Sequence, residues 1–391
     1  MLIAFYAPLK APTHPVPSGD RRVARLLIEA LELSGHRVEL ASSLRGLDRT
    51  GNPEQQLRIQ AEGSAEADRL IRQWREQPAE SRPALWFTYH LYYKAPDWIG
   101  PTVCRELGIP YVLCEASLAP KRAGGPWRLG HEAVADAIVL ADLLLAPTPE
   151  DVACLEALGQ AERIHRLPPF LDPMPFARAR GERKSYRAKL GAAHQLDLSQ
   201  PWLLAVGMMR QGDKFDSYVE LARCLAALTD LPWQLLVVGD GDTGSEVREL
   251  IEGAVPGRAR FLGLLEPDLM PGVYAASDVC VWPAVNEAYG MALLEAQASG
   301  LPVVASAVRG VPEVVRHGAT GLLVPGGDPR ALAQALRDLL TDPQRRAQLS
   351  ATALAFVREE RSIAGAAQRL NLLLERLLAE RADPKLVERQ A

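Results

Sequence analysis

Two glutamates eight residues apart give the clearest chemical signal in this chain. Glu287 and Glu295 lie in the segment 279–305, VCVWPAVNEAYGMALLEAQASGLPVVA, whose pattern predicts an apolar strand, a loop, a helix and a second apolar strand. Gly300 stands where a helix ends, and Pro302 prevents its continuation. Residues eight apart on a helix point in different directions, at about 100° per residue. We therefore expect Glu287 in the loop and Glu295 one to two turns into the helix.

An open helix end between these two carboxylates predicts a diphosphate site. Unpaired backbone N–H groups and the helix dipole attract phosphate at such an end. The two glutamates are separated by at most about 12 Å if the segment is helical. This geometry suits a nucleotide sugar, which has a pyrophosphate in its middle and a hydroxyl-rich sugar at each end. The alternative is an ordinary crossover whose glutamates face solvent. The amides predicted to form the open end belong to Ala288, Tyr289, Gly290 and Met291.

Composition limits the other functional classes. The chain has 391 residues, enough for two or three domains, with 48% hydrophobic and 24% charged residues and a net charge of −4. This balance gives no overall attraction to nucleic acid or anionic membrane. No apolar run approaches the ~20 residues that span a bilayer, and the amino terminus, MLIAFYAP, lacks the basic region of a signal peptide. The five cysteines show no paired spacing, so we expect reduced core residues in a cytoplasmic protein.

Short apolar runs alternate with amphipathic helices along the chain, which predicts parallel sheets built from βαβ units. The predicted fold class is α/β, with two Rossmann-like doubly wound domains facing a central cleft. Ligands are expected at the carboxyl ends of the strands. The predicted strands are Leu2–Ala7, Arg37–Ala41, Ala84–Tyr89, Tyr111–Cys114, Asp142–Ala146, Trp202–Val206, Trp233–Val238, Arg260–Leu262, Val279–Trp282, Pro302–Ala305 and Leu322–Val324. The predicted helices include Glu54–Trp74, Pro96–Leu107, Pro329–Leu340 and one that follows Asp20.

A proline-rich stretch around residues 167–172, followed by a basic and polar segment to about Gln200, marks the predicted domain boundary. Residues 1–170 are assigned to an amino-terminal acceptor domain. Residues 171–362 are assigned to a carboxyl-terminal nucleotide-sugar domain. Residues 363–391 form a terminal segment that continues in a helical pattern.

The glutamate segment, followed by Gly310-Val-Pro-Glu313 and Gly321-Leu-Leu-Val324, resembles the E-x7-E region of the retaining family-four glycosyltransferases of GT-B architecture. The resemblance implies that Glu287 meets the hydroxyls of the donor sugar and Glu295 meets the nucleotide ribose. It also implies that the last helix crosses back onto the first domain.

Two cations follow the strand Trp202–Val206, in Gly207-Met-Met-Arg210-Gln-Gly-Asp-Lys214. By the resemblance, Arg210 and Lys214 neutralise the leaving nucleoside diphosphate, because this family works without a metal. No metal or other cofactor is therefore expected. The family usually has Arg directly after the Gly and Lys five residues later, so Arg210 is displaced here. Solvated surface charge is the alternative interpretation.

Three glycine-containing segments complete the predicted donor site. The turn Gly239-Asp-Gly-Asp242 predicts positive φ at a glycine, which lets the chain approach the nucleotide closely. By the resemblance, Gly263 and Leu264 contact the base through the backbone, and Gly19 faces the donor phosphates.

The predicted acceptor side follows the third and fourth strands. By the resemblance, His90 lies in a loop after the third strand and hydrogen-bonds near the donor sugar and the acceptor. Tyr92, Lys94 and Glu115 are further candidates for the acceptor pocket, although aromatic core packing explains the tyrosines equally well.

The resemblance implies retaining transfer to a saccharide, glycolipid or small-molecule acceptor, as in polysaccharide biosynthesis, by a front-face reaction that needs positioning more than a strong base. Three alternatives stay open: an inverting transferase with His14 as general base, a nucleotide-sugar epimerase, and a non-catalytic scaffold subunit. We expect a cytoplasmic protein with peripheral contact to the inner membrane face through lipid-linked acceptors. The sequence does not identify the donor base, the sugar, the acceptor or the oligomeric state.

Overall fold

The computed structural model describes residues 1–16 and 18–382 and divides them into two compact units. The first unit contains residues 1–168 together with the last helix, from Ile363. The second unit contains residues 169–362. The division after residue 170, drawn from the sequence for separate domains, stays a prediction, as does the fold-back of the last segment.

The first unit is built on a six-stranded parallel sheet with the order β2-β1-β3-β4-β5-β6. The strand order reverses between β1 and β3, which is the pattern of a doubly wound sheet. Its strands are β1 (Leu2–Tyr6), β2 (Arg37–Leu40), β3 (Leu85–Leu91), β4 (Tyr111–Ala116), β5 (Leu143–Ala146) and β6 (Ile164–Arg166). Its first five helices are α1 (Gly19–Leu33), α2 (Pro53–Arg75), α3 (Gly100–Leu107), α4 (Arg128–Leu140) and α5 (Pro149–Glu156).

The second unit repeats this design with the parallel order β12-β11-β10-β7-β8-β9. Its strands are β7 (Trp202–Val206), β8 (Gln234–Val238), β9 (Ala259–Gly263), β10 (Val279–Trp282), β11 (Val303–Ser306) and β12 (Gly321–Val324). Its helices are α6 (Met174–Gly181), α7 (Arg183–His194), α8 (Asp213–Ala226), α9 (Gly244–Ala254), α10 (Met270–Ala276), α11 (Met291–Ala298), α12 (Val311–Val314), α13 (Pro329–Thr341) and α14 (Pro343–Glu360). The last helix, α15 (Ile363–Ala382), follows.

The strands form where short apolar runs are buried on both faces, as expected for parallel strands in α/β proteins. Every residue of β5, β10 and β11 is buried. The predicted α/β fold with two doubly wound sheets is confirmed. Within the described part of the chain, no helix combines the length and apolarity needed to span a bilayer.

Helix α15 packs against α1 within the first unit, where the Ser34 hydroxyl donates a hydrogen bond of 2.8 Å to the Ala367 carbonyl. Residues 383–391 of the predicted terminal segment lie outside the described residues.

Three sequence-based boundaries near the candidate site are wrong. The fourth strand, predicted to end at Cys114, continues to Ala116, so Glu115 lies inside β4 and not after it. The helix predicted at Pro96–Leu107 begins only at Gly100, because the Asp97 carboxylate accepts hydrogen bonds from the amides of Ile99 (2.9 Å) and Gly100 (2.7 Å). The third strand, predicted to end at Tyr89, continues to Leu91. His90 therefore lies inside β3 and not in a loop after it. The short strand β6 was not predicted at all.

Candidate active site

An ion pair at the carboxyl end of the second sheet joins the two groups that the sequence singles out there. The Lys214 amine, in the first turn of α8, contacts the Glu287 carboxylate. Trp282, the last residue of β10, donates its indole N–H to the same carboxylate at 3.3 Å. The Lys214 amine also lies 5.4 Å from the centroid of the Trp282 ring. Strands β7 and β10 are neighbours, so the loops that follow them meet.

A glycine makes room for this arrangement. A Cβ at Gly207 would lie 2.5 Å from the Trp282 indole, so a larger residue there would displace the ring. Tyr218 on α8 contacts both residues: its hydroxyl donates to the Gly207 carbonyl at 2.7 Å, and its ring packs edge-on against Trp282. Glycine after β7 thus positions the tryptophan that holds Glu287.

The loop carrying Glu287 has a strained and well-anchored backbone. Ala284 and Asn286 have positive φ values of 60° and 51°, in the left-handed region that non-glycine residues adopt rarely. The amide of Val285 donates to the Ser217 hydroxyl at 3.0 Å, and the Asn286 side chain donates to Asp213 at 2.8 Å. Helix α8 therefore fixes the loop at the point where Lys214 reaches Glu287.

Helix α11 begins one turn before Glu295 and leaves its amino end without a side-chain cap. Gly290 is the N-cap residue, with a φ of 74°, and Met291 is the first helical residue. The expected open amides of Ala288 and Tyr289 are a wrong assignment, because both residues precede the helix. Geometry places the open amides from Gly290 onward instead. Glu295 lies in the helix as predicted, and its carboxylate accepts a hydrogen bond of 3.0 Å from the Tyr274 hydroxyl.

Arg210 does not join this cluster. Its side chain is exposed, and within the described residues no hydrogen bond or ion pair links its guanidinium to Lys214 or Glu287. Its carbonyl accepts the amide of Phe215 at 3.1 Å, so the backbone is fixed while the side chain is not held.

The glycine turn after β8 packs directly against the chain that precedes Lys214. Gly239 and Gly241 have φ values of 142° and 155°, which confirms the predicted positive φ. A Cβ on either residue would lie 1.8 Å and 2.1 Å, respectively, from carbonyl oxygens of Gly207 and Met209. These glycines therefore allow two backbone segments to touch.

The predicted base-contacting pair follows β9. Gly263 has a φ of 70°, and its carbonyl accepts the amide of Gly239 at 2.9 Å. The side chain of Leu264 is 53% exposed. Contact of these residues with a nucleotide base stays a prediction.

A second charged cluster lies at the carboxyl end of the first sheet. His90 and Glu115 occupy facing positions on β3 and β4, between the partners Tyr89–Cys114 and Leu91–Ala116. Both have a φ of 60°. Left-handed backbone at a non-glycine residue costs about 1–3 kcal/mol, and such strain concentrates at functional sites.

Two carboxylates hold the His90 ring. Its Nδ1 lies 3.1 Å from Asp20 and 3.6 Å from Glu115. Asp20 belongs to the first turn of α1, and β1, which precedes that helix, is the neighbour of β3. Sheet order therefore brings together residues that are distant in the sequence.

The electrostatics of this cluster favour a protonated imidazole. Burial lowers the pKa of His90, but the charge of Glu115 and the hydrogen bond and charge of Asp20 outweigh it and raise the pKa to about 9. Burial likewise opposes ionisation of Asp20, yet the hydrogen bond and charge of His90 lower its pKa. A pKa raised in this way favours the cationic form of His90 at neutral pH.

The three predicted acceptor residues fall into two groups. Glu115 and Tyr92 belong with His90, and the Tyr92 and His90 ring centroids are 5.4 Å apart. Burial raises the pKa of Tyr92 to about 12, with a further contribution from Asp20. The Lys94 amine instead lies over the Trp127 ring, 5.2 Å from its centroid.

The amino end of α1 carries two other residues of interest. Gly19 is its first residue, and Ser18 caps the helix by accepting the Arg21 amide at 3.2 Å. The Nδ1 atom of His14 accepts the Val16 amide at 3.1 Å, so this nitrogen is already occupied.

A buried carboxylate supports the strands that carry His90 and Glu115. Asp97 is 2% exposed and accepts hydrogen bonds from the hydroxyls of Thr88 (2.6 Å) on β3 and Tyr111 (2.8 Å) on β4. Burial raises its pKa, while these bonds and two backbone amides act in the opposite direction. Asp97 thereby links the two strands to the start of α3.

Sequence reasoning missed Asp20, Trp282 and Tyr274 as members of these clusters. Asp20 lies in the first turn of α1, two residues after the cap residue Ser18, and Trp282 ends β10. An acid at a helix start and a residue at a strand's carboxyl end were therefore available signals. Tyr274 lies in α10 and had no such signal. Among residues 1–16 and 18–382, no group of three or more His, Cys, Asp and Glu side chains is arranged to hold a metal ion.

The chain is similar to known glycosyltransferases in the region that carries these residues. A family model described as glycosyl transferases group 1 matches residues 200–342, the range that contains Lys214, Glu287 and Glu295. The D-inositol 3-phosphate glycosyltransferase of Xylanimonas cellulosilytica is 36% identical over 288 residues, 69% of this chain and 67% of that protein. The chain belongs to the group 1 glycosyl transferases.

A second relative agrees with this membership, and a solved structure shares the fold. The D-inositol 3-phosphate glycosyltransferase of Salinispora tropica is 35% identical over 286 residues, 67% of this chain and 58% of that protein. The chain thus spans about six tenths of the length of that relative. The crystal structure of Anabaena Alr3699/HepE in complex with UDP-glucose shares the fold, with a TM-score of 0.69 and 18% identity over 96% of this chain and 99% of the other.

Proposed function

We propose that this protein is a retaining glycosyltransferase that moves a sugar from a nucleotide diphosphate sugar to an acceptor hydroxyl. The observation that carries the proposal is the Lys214–Glu287 ion pair beside the uncapped amino end of α11, with Glu295 one turn further along. A cation, open amides and two carboxylates are the groups that a diphosphate flanked by two sugars needs.

The donor site follows from these contacts. Lys214 neutralises Glu287 in the protein alone, and an incoming diphosphate competes for the same amine. Glu287 then accepts from the hydroxyls of the transferred sugar, and Glu295, steadied by Tyr274, accepts from the ribose. Arg210, whose guanidinium is not held, can turn toward the phosphates. The relative from Anabaena was crystallised with UDP-glucose, which supports a donor of this class.

The leaving group is stabilised by positive charge of the protein and not by a resident metal in this proposal. Lys214 and the α11 amino end supply fixed charge where the diphosphate develops its own, and Arg210 adds to it once its side chain turns toward the phosphates. Such preorganised donors lower the barrier without reorganisation during the reaction.

His90 acts as a donor of a charged hydrogen bond in this proposal, not as a general base. Its raised pKa leaves no free lone pair at neutral pH. This favours the front-face, retaining reaction, in which an oxygen of the leaving phosphate receives the acceptor proton. Asp20 and Glu115 keep the imidazole protonated and oriented.

The acceptor class is proposed from the relatives. Two of them are named D-inositol 3-phosphate glycosyltransferases, so small polyols and their phosphates are the first acceptors to test. Saccharides and lipid-linked acceptors, with peripheral contact at the inner membrane face and a cytoplasmic location, stay predictions.

A donor screen with product analysis tests the proposal. The full chain is incubated with UDP-, GDP- and ADP-glucose and polyol acceptors, nucleoside diphosphate release is measured, and the product anomer is assigned by NMR. We expect acceptor-dependent release with the donor's anomeric configuration retained, and at least tenfold slower release by Lys214→Ala. An inverted product would indicate the inverting alternative, a sugar epimer formed without acceptor would indicate an epimerase, and no release from any donor would indicate a scaffold subunit.

A further inference from the structure

A separate pocket lies at the opposite end of the second sheet from the proposed donor site. Asp278, which lines it, directly precedes β10, whereas Trp282 ends that strand beside Glu287. Four residues of strand span about 13 Å. Helix α11 likewise begins at the proposed donor site, and its C-cap residue, Ser299, lines the pocket. The pocket is therefore distinct from the donor site within the same unit.

The pocket has the size of a small-molecule site. It encloses about 310 Å³, at the lower end of the range for small ligands. Helices α6, α7 and α14 and the end of α11 contribute its walls. The residues that matter for its chemistry are Arg180, Arg183, Asp278, Ser299, Gly300, Arg346 and Ser350.

The charge of the lining is positive. Three arginines face a single acid, Asp278, among the described lining residues. The Asp278 carboxylate is already engaged by Arg183 at 2.7 Å and by Arg187 at 2.9 Å. One guanidinium nitrogen of Arg346 donates to the Leu339 and Leu340 carbonyls, which are neutral acceptors and leave its positive charge unbalanced. An anion in the pocket would balance this excess.

One of these arginines is uncommitted. Arg180 is exposed, and its guanidinium makes no hydrogen bond or ion pair within residues 1–16 and 18–382. The space beside Gly300 is bounded by this group, because a Cβ there would lie 3.1 Å from the Arg180 Nε and 2.9 Å from the Ser350 hydroxyl. Gly300 has a φ of 71°, so glycine keeps this space open.

A buried hydroxyl in the wall lacks a partner. Ser299 is 5% exposed, and its Oγ has no hydrogen-bond partner in the described chain. Buried polar groups in native proteins are nearly always paired. A phosphate beside Gly300 would meet the Arg180 guanidinium and the Ser350 hydroxyl, which bound the space there.

We propose that this pocket binds the phosphate group of a small soluble phosphomonoester. A phosphate accepts bidentate hydrogen bonds from a guanidinium and further bonds from hydroxyls, which matches the groups that meet here. The enclosed volume leaves room for a short organic group beyond the phosphate.

Calorimetric titration of the full chain with glycerol 3-phosphate tests this assignment, with glycerol as the uncharged control ligand. We expect saturable binding of the phosphate ester and none of glycerol. Arg180→Ala should raise the Kd at least tenfold, the scale of a lost charge-assisted hydrogen bond. Lys214→Ala is the matched control for the donor site and should leave the Kd within twofold.

Because Arg180 has no partner to lose, its replacement should leave the unfolding midpoint unchanged, which separates lost binding from lost folding. An equal Kd in wild type and Arg180→Ala, no saturable heat in the wild type, or a loss of binding confined to Lys214→Ala would each overturn the assignment. The first and third outcomes leave the proposed transferase function intact.

Discussion

The protonated state of His90 gives the sharpest quantitative prediction. The pKa of its side chain is raised from 6.5 to about 9, and each pKa unit corresponds to about 1.4 kcal/mol. The shift is therefore equivalent to about 3 kcal/mol of folding free energy. The side chain is only 21% exposed, so solvent screening reduces this figure modestly, to about 2–3 kcal/mol.

The sign follows from linkage. The folded protein binds the proton more tightly than the unfolded chain, so the stabilisation is complete below pH 6.5 and is lost as pH rises toward 9. His90→Asn removes the ionisable group. The difference in unfolding free energy between wild type and variant should be largest at pH 6 and should shrink by about 2–3 kcal/mol at pH 9.5.

Urea unfolding at a series of pH values measures this difference, and NMR titration of the imidazole C–H signals measures the pKa itself. His36 and His165, whose pKa values are lowered by burial, titrate in both proteins and cancel in the difference. A pKa for His90 at or below 6.5, or a pH-independent difference, would refute the assignment of His90 as an imidazolium and with it the role proposed for Asp20 and Glu115.

Three further predictions concern the framework of the two clusters. A double-mutant cycle with Lys214→Met and Glu287→Gln should show a coupling of about 1–3 kcal/mol in urea unfolding, because the pair is largely shielded from water; a coupling near zero would contradict a stable ion pair. Asp97→Asn should lower the unfolding free energy by about 3 kcal/mol, because the NH2 group of the new amide is a donor and would meet hydroxyl donors that the carboxylate now accepts from. A change below about 1 kcal/mol would rule out this network as a support of β3 and β4. Gly239→Ala should destabilise the protein by at least about 3 kcal/mol, because its Cβ would collide with a carbonyl oxygen, whereas Gly253→Ala on α9, where the Cβ meets nothing, should be neutral or stabilising by up to about 1 kcal/mol; equal effects on thermal unfolding would disprove the packing reason.

Local patterns were enough to predict most of the fold. Strands such as β7 and β10 were predicted to the residue, because short apolar runs between polar turns leave one interpretation in a chain that alternates with helices. The end of α11 was also predictable, since Gly300 takes the left-handed conformation and Pro302 follows.

Features that depend on the order of strands were not predictable. Asp20 and Glu115 meet His90 only because β1, β3 and β4 are neighbours in the sheet. A sequence without relatives gives strand positions but not their order in space. The same reason explains why Trp282 was missed as a partner of Glu287.

Backbone conformations that oppose local preference were also beyond the sequence. His90, Glu115, Ala284 and Asn286 adopt left-handed φ values that residue types other than glycine rarely show. These residues are held there by surrounding contacts, so local propensity predicts the wrong conformation at them. Strain of this kind is where sequence rules are expected to fail, because functional geometry overrides them.

The start of α11 illustrates a smaller error with a chemical consequence. The prediction placed the open amides at Ala288, Tyr289, Gly290 and Met291, whereas the helix begins after Gly290. The proposed phosphate-binding end thus starts two residues closer to Glu295. This shift sharpens the expected contact of the diphosphate with the amides of Gly290, Met291 and Ala292.

A crystal structure of the protein with the nucleotide sugar selected by the donor screen measures the central claim most directly. The account predicts the diphosphate within hydrogen-bond distance of the Lys214 amine and the amides at the start of α11, with the ribose at Glu295 and the transferred sugar at Glu287. A diphosphate bound elsewhere, or either glutamate left facing water in the complex, would contradict it.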